Sequence, residues 1–318
     1  MLIKIEHNTI PESAQELFTT SFNQTRDKKE WLWKYKESPQ GLTTARAYDG
    51  DKLICQYGGI KYSCLINNKE YQIFQIIDLM TKPAYRNAWI MVKTANKFFE
   101  YCQESRVPFI YGFTTAVSRK FGIKKLGYYA ESPVGYIRKK IYPKKRLPLN
   151  SSLITIEKVD SFKERVNDIY KEYLNAYPLI LKKDKNYLDW RYINTPIKYK
   201  IFSLSLKEKD KIIGYVIIKE NKNKIYLVDF LLKEKKIDKL NIFLSILEKE
   251  YLNPKVFKTF EAWSPKNSPY YQELLKFGFK PYPEPRNLYF TVRPFSKIAS
   301  NIFTDSNFSY TMGDSDLF

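Results

Sequence analysis

The stretch WKYKESP at residues 33–39 returns later in the chain as WRYINTP at residues 190–196. Trp, Tyr and Pro recur at one offset of 157 residues (190 − 33). Further pairs follow in the same order: ICQYGGIK at 54–61 with IIGYVIIK at 212–219, IIDL at 76–79 with LVDF at 227–230, and KLGY at 125–128 with KFGF at 276–279. The distance from Asp to Gly is 49 residues in each half (127 − 78 and 278 − 229). Self-similarity that keeps its order predicts a duplicated unit.

Both halves show the same order of predicted elements, and together they predict a mixed α/β architecture. In the first half we expect a helix at Glu12–Phe22, strands at Lys52–Ile66 and Tyr71–Met80 turned at Asn67-Asn68, a helix at Ile90–Cys102 and a strand at Val107–Tyr111. In the second half we expect helices at Phe162–Ala176 and Ile237–Glu250 and strands at Ile201–Leu206, Lys211–Lys219 and Lys224–Leu232. The Pro- and Lys-rich stretch Tyr142–Asn150 predicts the joint, which gives domains 1–145 and 146–318.

The composition argues against histidine-dependent catalysis and against a metal site. The chain has 318 residues and a formal net charge of +20, but its lysines are dispersed, as on an ordinary solvated surface. His7 is the only histidine, so a nucleophile–His–acid triad has no plausible base. Cys55, Cys64 and Cys102 show no CxxC spacing, which argues against a zinc site or a disulfide framework. We therefore expect no metal.

The chain lacks a membrane-spanning pattern. No stretch approaches the roughly 20 apolar residues that a spanning helix needs. The N-terminus, MLIKIEHNTIPESAQ, has no apolar core of a secretory signal. These two features predict a cytoplasmic protein.

The segment from Asp78 to Tyr128 contains motifs that are similar to those of a known family. A strand ending IDLMT at 77–81, then KPAYR at 82–86, then an amphipathic helix resembles the central strand, pyrophosphate loop and following helix of the GNAT N-acetyltransferases. The stretch FIYGF at 109–113, with Ser118 and KLGY at 125–128, is similar to a strand and helix of two-domain bacterial acyltransferases of surface-polysaccharide synthesis. The ending GDSDLF at 313–318 resembles the tail of those proteins. The resemblance implies two tandem GNAT-like folds.

The resemblance also implies an acetyl-CoA or other acyl-CoA co-substrate, held where backbone amides at a helix N-terminus meet its pyrophosphate. Mapped onto this chain, the cofactor-binding residues are Leu79, Met80, Thr81, Arg86, Asn87, Ala88, Trp89, Ile90 and Ser118. The family's two loop glycines are missing, and Trp89 stands where close approach is usual. The matching region of the second half, 233–238, has no such loop, so the first half is the candidate CoA-binding half.

The resemblance places a catalytic base at Asp78, a carboxylate on the central strand that would take a proton from the acceptor amine. The alternative is a buried structural carboxylate, and Asp229 at the matching place favours a shared structural role. The set Trp33, Tyr35 and Pro39 and its twin at 190–196 could line an acceptor cleft, but its recurrence in both halves favours core packing.

Taken with the residues, the resemblance implies an acyl-CoA-dependent N-acyltransferase acting on an amine, such as an amino sugar or a sugar nucleotide for a surface glycan. Two alternatives stay open. One is a Fem-type aminoacyltransferase, for which the charge of +20 would be the footprint of a tRNA partner. The other is a non-catalytic GNAT pair that has lost CoA binding, for which the missing glycines speak.

Overall fold

A computed structural model of the chain describes residues 1–86, 88–142, 146–172, 179–207, 211–304 and 308–318. These residues form two sheets, and a long hairpin lies at the centre of the first sheet. Its turn is at Asn67 and Asn68, with φ angles of 48° and 65°. A two-residue turn with both φ angles positive matches the twist of paired strands, and Asn tolerates that conformation. The predicted hairpin is confirmed.

Strands and helices are interspersed along the described chain, and a first strand, β1, precedes the first predicted helix. The strands are β1 (Leu2–His7), β2 (Leu42–Asp49), β3 (Lys52–Ile66), β4 (Lys69–Thr81), β5 (Phe109–Thr115), β6 (Tyr129–Pro133), β7 (Tyr136–Lys140), β8 (Ile154–Val159), β9 (Leu179–Leu181), β10 (Lys200–Leu206), β11 (Lys211–Asn221), β12 (Lys224–Leu232), β13 (Thr259–Trp263), β14 (Lys280–Tyr282) and β15 (Leu288–Pro294). The helices are α1 (Ala14–Phe22), α2 (Lys28–Tyr35), α3 (Ala88–Glu104), α4 (Ala116–Leu126), α5 (Asn167–Lys171), α6 (Lys185–Leu188), α7 (Leu240–Glu250), α8 (Tyr271–Lys276) and α9 (Lys297–Thr304). No helix in the described ranges is long and apolar enough to cross a bilayer.

Unit 1 comprises Met1–Ser132, Asn194–Pro196 and Leu288–Asp305. Its sheet has the order β1-β2-β3-β4-β5-β15-β6. Strands β1 to β4 form an antiparallel meander. Strand β5 is parallel to β4, and the connection between them contains α3, as parallel strands require.

Unit 2 comprises Pro133–Ile193, Ile197–Asn287 and Ser306–Phe318. Its sheet has the order β14-β7-β13-β12-β11-β10-β8. Again an antiparallel meander leads into a parallel pair, β12 and β13, whose connection contains α7. The two units therefore share one topology, which confirms the predicted duplication.

The units also exchange strands along the chain. β15, from the second half, pairs with β5 in the sheet of unit 1, and β7, from the first half, pairs with β13 in the sheet of unit 2. The segment from Pro133 onward accordingly belongs to unit 2, and the segment containing β15 belongs to unit 1.

Helix α3 shows how the sequence pattern produces packing. The predicted apolar positions Ile90, Ala95, Phe98, Phe99 and Cys102 are all buried. They recur at helical spacing and so lie on one stripe of the helix, which packs on the sheet of unit 1 with Phe74 and Ile110. The helix begins directly beyond the loop that follows β4. Packing of this stripe therefore fixes the position of the first turn of α3, which contains several predicted site residues.

Candidate active site

The two parallel strands of unit 1 are paired over a short stretch. Phe74 pairs with Ile110 and Gln75 with Tyr111, whereas β4 continues to Thr81 and β5 to Thr115. Helices α3 and α4 follow β4 and β5 in the sequence. Because the carboxyl ends of parallel strands meet at one sheet edge, both helices begin at the same edge, beside an opening between the strands.

A bulge in β4 marks the start of this opening. The register between β3 and β4 shifts between Gln56 and Gly58, opposite Asp78. Asp78 has a φ angle of 49°, a left-handed conformation that is uncommon outside Gly and Asn. Bulges of this kind re-aim the side chains of a strand near functional sites.

The loop after β4 is built around Arg86. Its guanidinium donates hydrogen bonds to the carbonyl oxygens of Thr81 and Ser21, each at 3.3 Å. Lys82 forms a 2.7 Å ion pair with Glu16. These bonds fix the short turn Pro83–Tyr85 ahead of α3 and leave Arg86 exposed at the opening.

The predicted cofactor residues of β4 and α3 divide by burial. Met80 is buried and Leu79 and Thr81 are half-buried in β4. In α3, Ile90 is buried, while Trp89 is 71% exposed. The indole therefore lies outside the protein interior, and it does not fill the space beside the strand. Asn87 lies outside the described residues, and Ala88 is the first residue of α3.

Ser118 lies in the first turn of α4. Thr115 caps this helix by accepting a hydrogen bond from the amide of Ser118 at 3.4 Å. Helix N-termini carry unpaired amides and a partial positive charge, which attract anions. The fold therefore brings the described residues of the two predicted cofactor segments, 79–86 with 88–90 and Ser118, to one edge of the sheet of unit 1.

Asp78 is fully engaged by its neighbours. Arg26 donates two hydrogen bonds to its carboxylate, at 2.6 and 2.8 Å, and the hydroxyl of Tyr35 donates a third at 2.8 Å. Burial by itself would raise the pKa of Asp78, but the charges of Lys34 and Arg26 and these hydrogen bonds outweigh it, so the pKa lies well below its usual range. A carboxylate so strongly stabilised as an anion is a weak proton acceptor.

Unit 2 contains the same arrangement. Lys183 contacts both carboxylate oxygens of Asp229, at 2.9 and 3.1 Å, and the hydroxyl of Tyr192 donates to it at 2.7 Å. Lys183 follows Arg26 by 157 residues (183 − 26), which is the offset of the Trp and Tyr repeat. A cation, an aspartate and a tyrosine therefore recur as one cluster in both units.

The sequence interpretation missed the cation of this cluster. Arg26-Asp27 and Lys183-Asp184 stand at matching places, and both aspartates cap the helix that follows, α2 and α6. Extending the repeat backwards from Trp33 by seven residues would have found the pair. The predicted base at Asp78 is disfavoured by this environment, which supports the structural alternative.

The aromatic repeat packs inside each unit. Trp33 and Tyr35 are buried, as are Trp190 and Tyr192. These side chains contribute to the cores, in agreement with the packing alternative. The open cleft of unit 1 on this side, with a volume of about 530 Å³, is instead lined by other residues of the region, among them Arg26, Lys28, Trp31 and Lys36.

In unit 2 the chain's own segment 308–318 covers the aspartate. The hydroxyl of Thr311 donates to Asp229 at 3.1 Å, and Asp314 forms a 2.9 Å ion pair with Lys183. Arg191 donates to the carbonyl oxygens of Ser315 and Phe318, each at 2.9 Å. The segment is thus held in place by contacts with the charged side chains of Lys183 and Arg191.

Comparison with known proteins agrees with this architecture. Residues 5–126 match the family model described as an acetyltransferase (GNAT) domain. No curated protein matches the sequence significantly. The first part of the chain is thus similar in sequence to GNAT acetyltransferase domains.

Solved structures extend the likeness to both units. A probable N-acyltransferase from Enterococcus faecalis is 15% identical with a TM-score of 0.67, over 92% of this chain and 73% of that one. N-myristoyltransferase of Saccharomyces cerevisiae with bound myristoyl-CoA is 12% identical with a TM-score of 0.55, over 92% and 79%. A tandem GNAT protein from the clavulanic acid biosynthesis pathway is 9% identical with a TM-score of 0.57, over 92% and 98%. The fold is therefore a pair of GNAT-like units, as predicted.

Proposed function

We propose that unit 1 transfers an acyl group from acyl-CoA to an amine. The observation that carries this proposal is the opening between β4 and β5, where a bulge at Asp78 and the first turns of α3 and α4 share one edge. The match of residues 5–126 to acetyltransferase domains supports it. So does the myristoyl-CoA bound by the N-myristoyltransferase whose fold this chain shares.

In this proposal the residues present fit a CoA ligand. The amides of residues 88–90, in the first turn of α3, would hold the pyrophosphate, and the guanidinium of Arg86 would add a positive charge. Backbone atoms of Leu79, Met80 and Thr81 would hold the pantetheine, and Ser118 in the first turn of α4 would contribute a hydroxyl. Backbone amides donate from any residue except proline, so the absent glycines leave this mode of binding intact, given that Trp89 is exposed.

The chemistry is an acyl transfer. The neutral amine nitrogen attacks the thioester carbonyl carbon, the N–C bond forms and the C–S bond breaks. The nitrogen loses one proton, and the leaving thiolate takes up one proton to become the thiol of CoA. Amides of β4 beyond the bulge stabilise the negative charge on the carbonyl oxygen. Asp78 does not touch the substrate. Its carboxylate fixes the bulge and the positions of Tyr35 and Arg26, and it thereby positions the amides of β4.

We further propose that the acceptor enters the open cleft beside Arg26. Lys28 and Lys36 line this cleft together with Trp31, and Glu12 is its acidic residue. The lysine side chains favour an anionic group. They repel the positive charge of a protonated amine, so an amine acceptor needs a phosphate group to compensate for that charge. An amino sugar carried on a nucleotide has that chemistry, which fits a role in surface-glycan synthesis.

The donor site is tested by isothermal titration of acetyl-CoA into the wild-type chain, Arg86→Ala and Lys97→Ala. Lys97 lies in α3, away from its first turn, so its loss changes the net charge equally without touching the site. We expect micromolar binding to the wild type, at least tenfold weaker binding to Arg86→Ala, and a change below twofold in Lys97→Ala. No heat with the wild type at millimolar acetyl-CoA would overturn the proposal and support a GNAT pair without cofactor.

The acceptor cleft is tested by thiol release from acetyl-CoA with amino sugars and their nucleotide forms. Lys28→Glu should raise KM for the nucleotide form by about tenfold while kcat stays within twofold, because the charge acts in binding. Lys29→Glu, an exposed neighbour that does not line the cleft, is the control. Equal KM values for both acceptor forms would contradict the cleft assignment.

A further inference from the structure

Two buried polar atoms on the β5 side of the opening in unit 1 lack a hydrogen-bond partner among the described residues. They are the hydroxyl oxygen of Thr114 and Nε of Arg119. A buried polar group without a partner loses its hydrogen bonds with water and gains none in return, so it is unfavourable until a ligand or an ordered water completes it. The acyl transfer proposed above gives neither residue a role.

Thr114 lies where β5 is no longer paired with β4. The last residue of β5 that pairs with β4 is Tyr111, and the strand continues to Thr115. On its other side β5 stays paired with β15, where Tyr289 is the partner of Thr114. Residues directly opposite each other in antiparallel strands project from the same face of the sheet, so Thr114 and Tyr289 are neighbours on one face.

Arg119 reaches the ring of Tyr289 from α4. Its Cζ atom lies 4.4 Å from the centroid of that ring. A guanidinium that stacks on an aromatic face keeps the N–H groups in its own plane free to donate. Thr114 and Arg119 therefore both neighbour Tyr289, and together they offer a hydroxyl and a planar set of N–H donors. All three side chains are half-buried, so a ligand from solvent can reach them.

The elements that carry these side chains are positively charged. β5, α4 and β15 contain five basic residues and no Asp or Glu. Within the described part of the chain, no carboxylate forms an ion pair with Arg119. An anion is therefore attracted to Arg119, whereas a cation is repelled.

We infer that Arg119 and Thr114 bind a phosphate group on the β5 side of the opening. An arginine fork and a separate hydroxyl donate from different directions, which suits the tetrahedral oxygens of phosphate better than the two coplanar oxygens of a carboxylate. The phosphate belongs to the ribose of the CoA donor or to a separate phosphorylated ligand. Only the first of these two sources rests on the proposed function.

Binding of inorganic phosphate tests the site without any donor. Phosphate and, in parallel, acetate are titrated calorimetrically at constant ionic strength into the whole chain, Arg119→Met and Lys120→Met. Lys120 is the exposed neighbour in α4, so both variants lose one positive charge. We expect saturable millimolar binding of phosphate to the wild type, at least tenfold weaker binding to Arg119→Met, and a change below twofold in Lys120→Met.

Three results of this titration would overturn the inference. The first is the absence of saturable phosphate binding to the wild type, and the second is equal phosphate binding by Arg119→Met and the wild type. The third is equal affinity of the wild type for acetate and phosphate, because charge alone would then explain the binding.

Thr114→Val separates recognition from folding. Valine has the shape of threonine without the hydroxyl, so the variant should raise the urea midpoint of unfolding and weaken phosphate binding at least threefold. Thr291→Val in β15 is the matched control, because the hydroxyl of Thr291 donates to the carbonyl oxygen of Gly112 at 3.2 Å. Its loss should lower the midpoint and leave phosphate binding within twofold. A lower midpoint with unchanged phosphate affinity in Thr114→Val would contradict the inference.

Two donor forms identify the source of the phosphate. Acetyl-CoA and dephospho-acetyl-CoA differ only in the ribose phosphate. If this group occupies the site, Arg119→Met should weaken acetyl-CoA binding at least tenfold and leave binding of the dephospho form within twofold. If the phosphate belongs to another ligand, Arg119→Met should bind both donor forms as the wild type does and still lose inorganic phosphate. Failure of the wild type to bind either donor form contradicts the proposed function alone, because the phosphate titration does not depend on it.

Discussion

The hydroxyl of Tyr35 donates a 2.8 Å hydrogen bond to Asp78, and 151 residues further on (229 − 78) Asp229 accepts a 2.7 Å bond from Tyr192. In each unit a buried cation completes the cluster. The cofactor site is proposed in unit 1, whereas the cluster of unit 2 is covered by the chain's own segment 308–318. A cluster of cation, aspartate and tyrosine that recurs in both units is better explained by a role that both units share, which is to stabilise the bulge of the central strand.

Replacing Asp78 by Asn should destabilise unit 1 by about 3 kcal/mol, because the change removes the buried carboxylate that pairs with Arg26 at 2.6 Å and leaves this cation with the more exposed Glu30 at 3.1 Å. Urea unfolding measures the loss. Asp51→Asn, at an exposed position after β2, is the control and should change the free energy of unfolding by less than about 0.5 kcal/mol. A similar, small effect in both variants would contradict the structural role of Asp78.

The same carboxylate predicts a pH dependence. The pKa of Asp78 is lowered in the folded state, so the unfolded chain binds the proton more tightly. Its stabilising contribution is then complete above the unfolded pKa of about 3.9 and is lost progressively as the pH falls below it. The difference in unfolding free energy between the wild type and Asp78→Asn should therefore be constant from pH 5 to 7 and shrink between pH 4 and 3. A difference that grows on acidification would have the wrong sign.

Local features of the fold could be read from the sequence. The hairpin at Asn67-Asn68 follows from turn chemistry, and the buried stripe of α3 follows from helical spacing. The expected helix at 162–176 is only partly observed: it is a short turn at Glu164–Val166 followed by α5, and residues 173–178 lie outside the described part.

Non-local features could not be read from it. The exchange of β7 and β15 joins strands that are far apart in sequence, and the alternation of residues within a strand does not show which strand is its neighbour. The insertion of segment 308–318 depends on Gly313 meeting Tyr192 across the fold. In the candidate site, the strand, the loop and Ser118 were located by resemblance. Arg26 and Lys34 were missed, because the sequence of a chain with a formal net charge of +20 does not show which lysines and arginines are buried.

The exposure of Trp89 predicts a contrast between two tryptophans of unit 1. Trp89→Ala should change the free energy of unfolding by less than about 0.5 kcal/mol, because the side chain is 71% exposed. Trp33→Ala removes a side chain that is 3% exposed and should cost about 3 to 5 kcal/mol. Urea unfolding compares the two variants directly. A large loss in Trp89→Ala would mean that the indole packs against the site after all.

The close approach at Gly313 predicts a rescue. A Cβ atom at this position would lie 2.1 Å from the hydroxyl oxygen of Tyr192 and 2.9 Å from the Cβ of Asp229. Gly313→Ala should therefore displace the segment 308–318 and destabilise unit 2 by about 1 to 3 kcal/mol, which is the usual cost of overpacking. Gly112→Ala is the matched control, because its Cβ would meet Ile76 at an ordinary 3.6 Å.

Removing the obstructing oxygen tests the cause. In the double variant Gly313→Ala with Tyr192→Phe, the nearest atom is gone, so the two changes should cost less together than the sum of their separate costs, by at least about 0.5 kcal/mol. Urea unfolding and the protease sensitivity of the segment measure both effects. Strict additivity would mean that the alanine acts elsewhere, and the segment would then be held by Arg191 and Asp314 without any constraint at Gly313. A positive coupling, in contrast, would establish that the segment is seated against the Tyr192–Asp229 pair in solution.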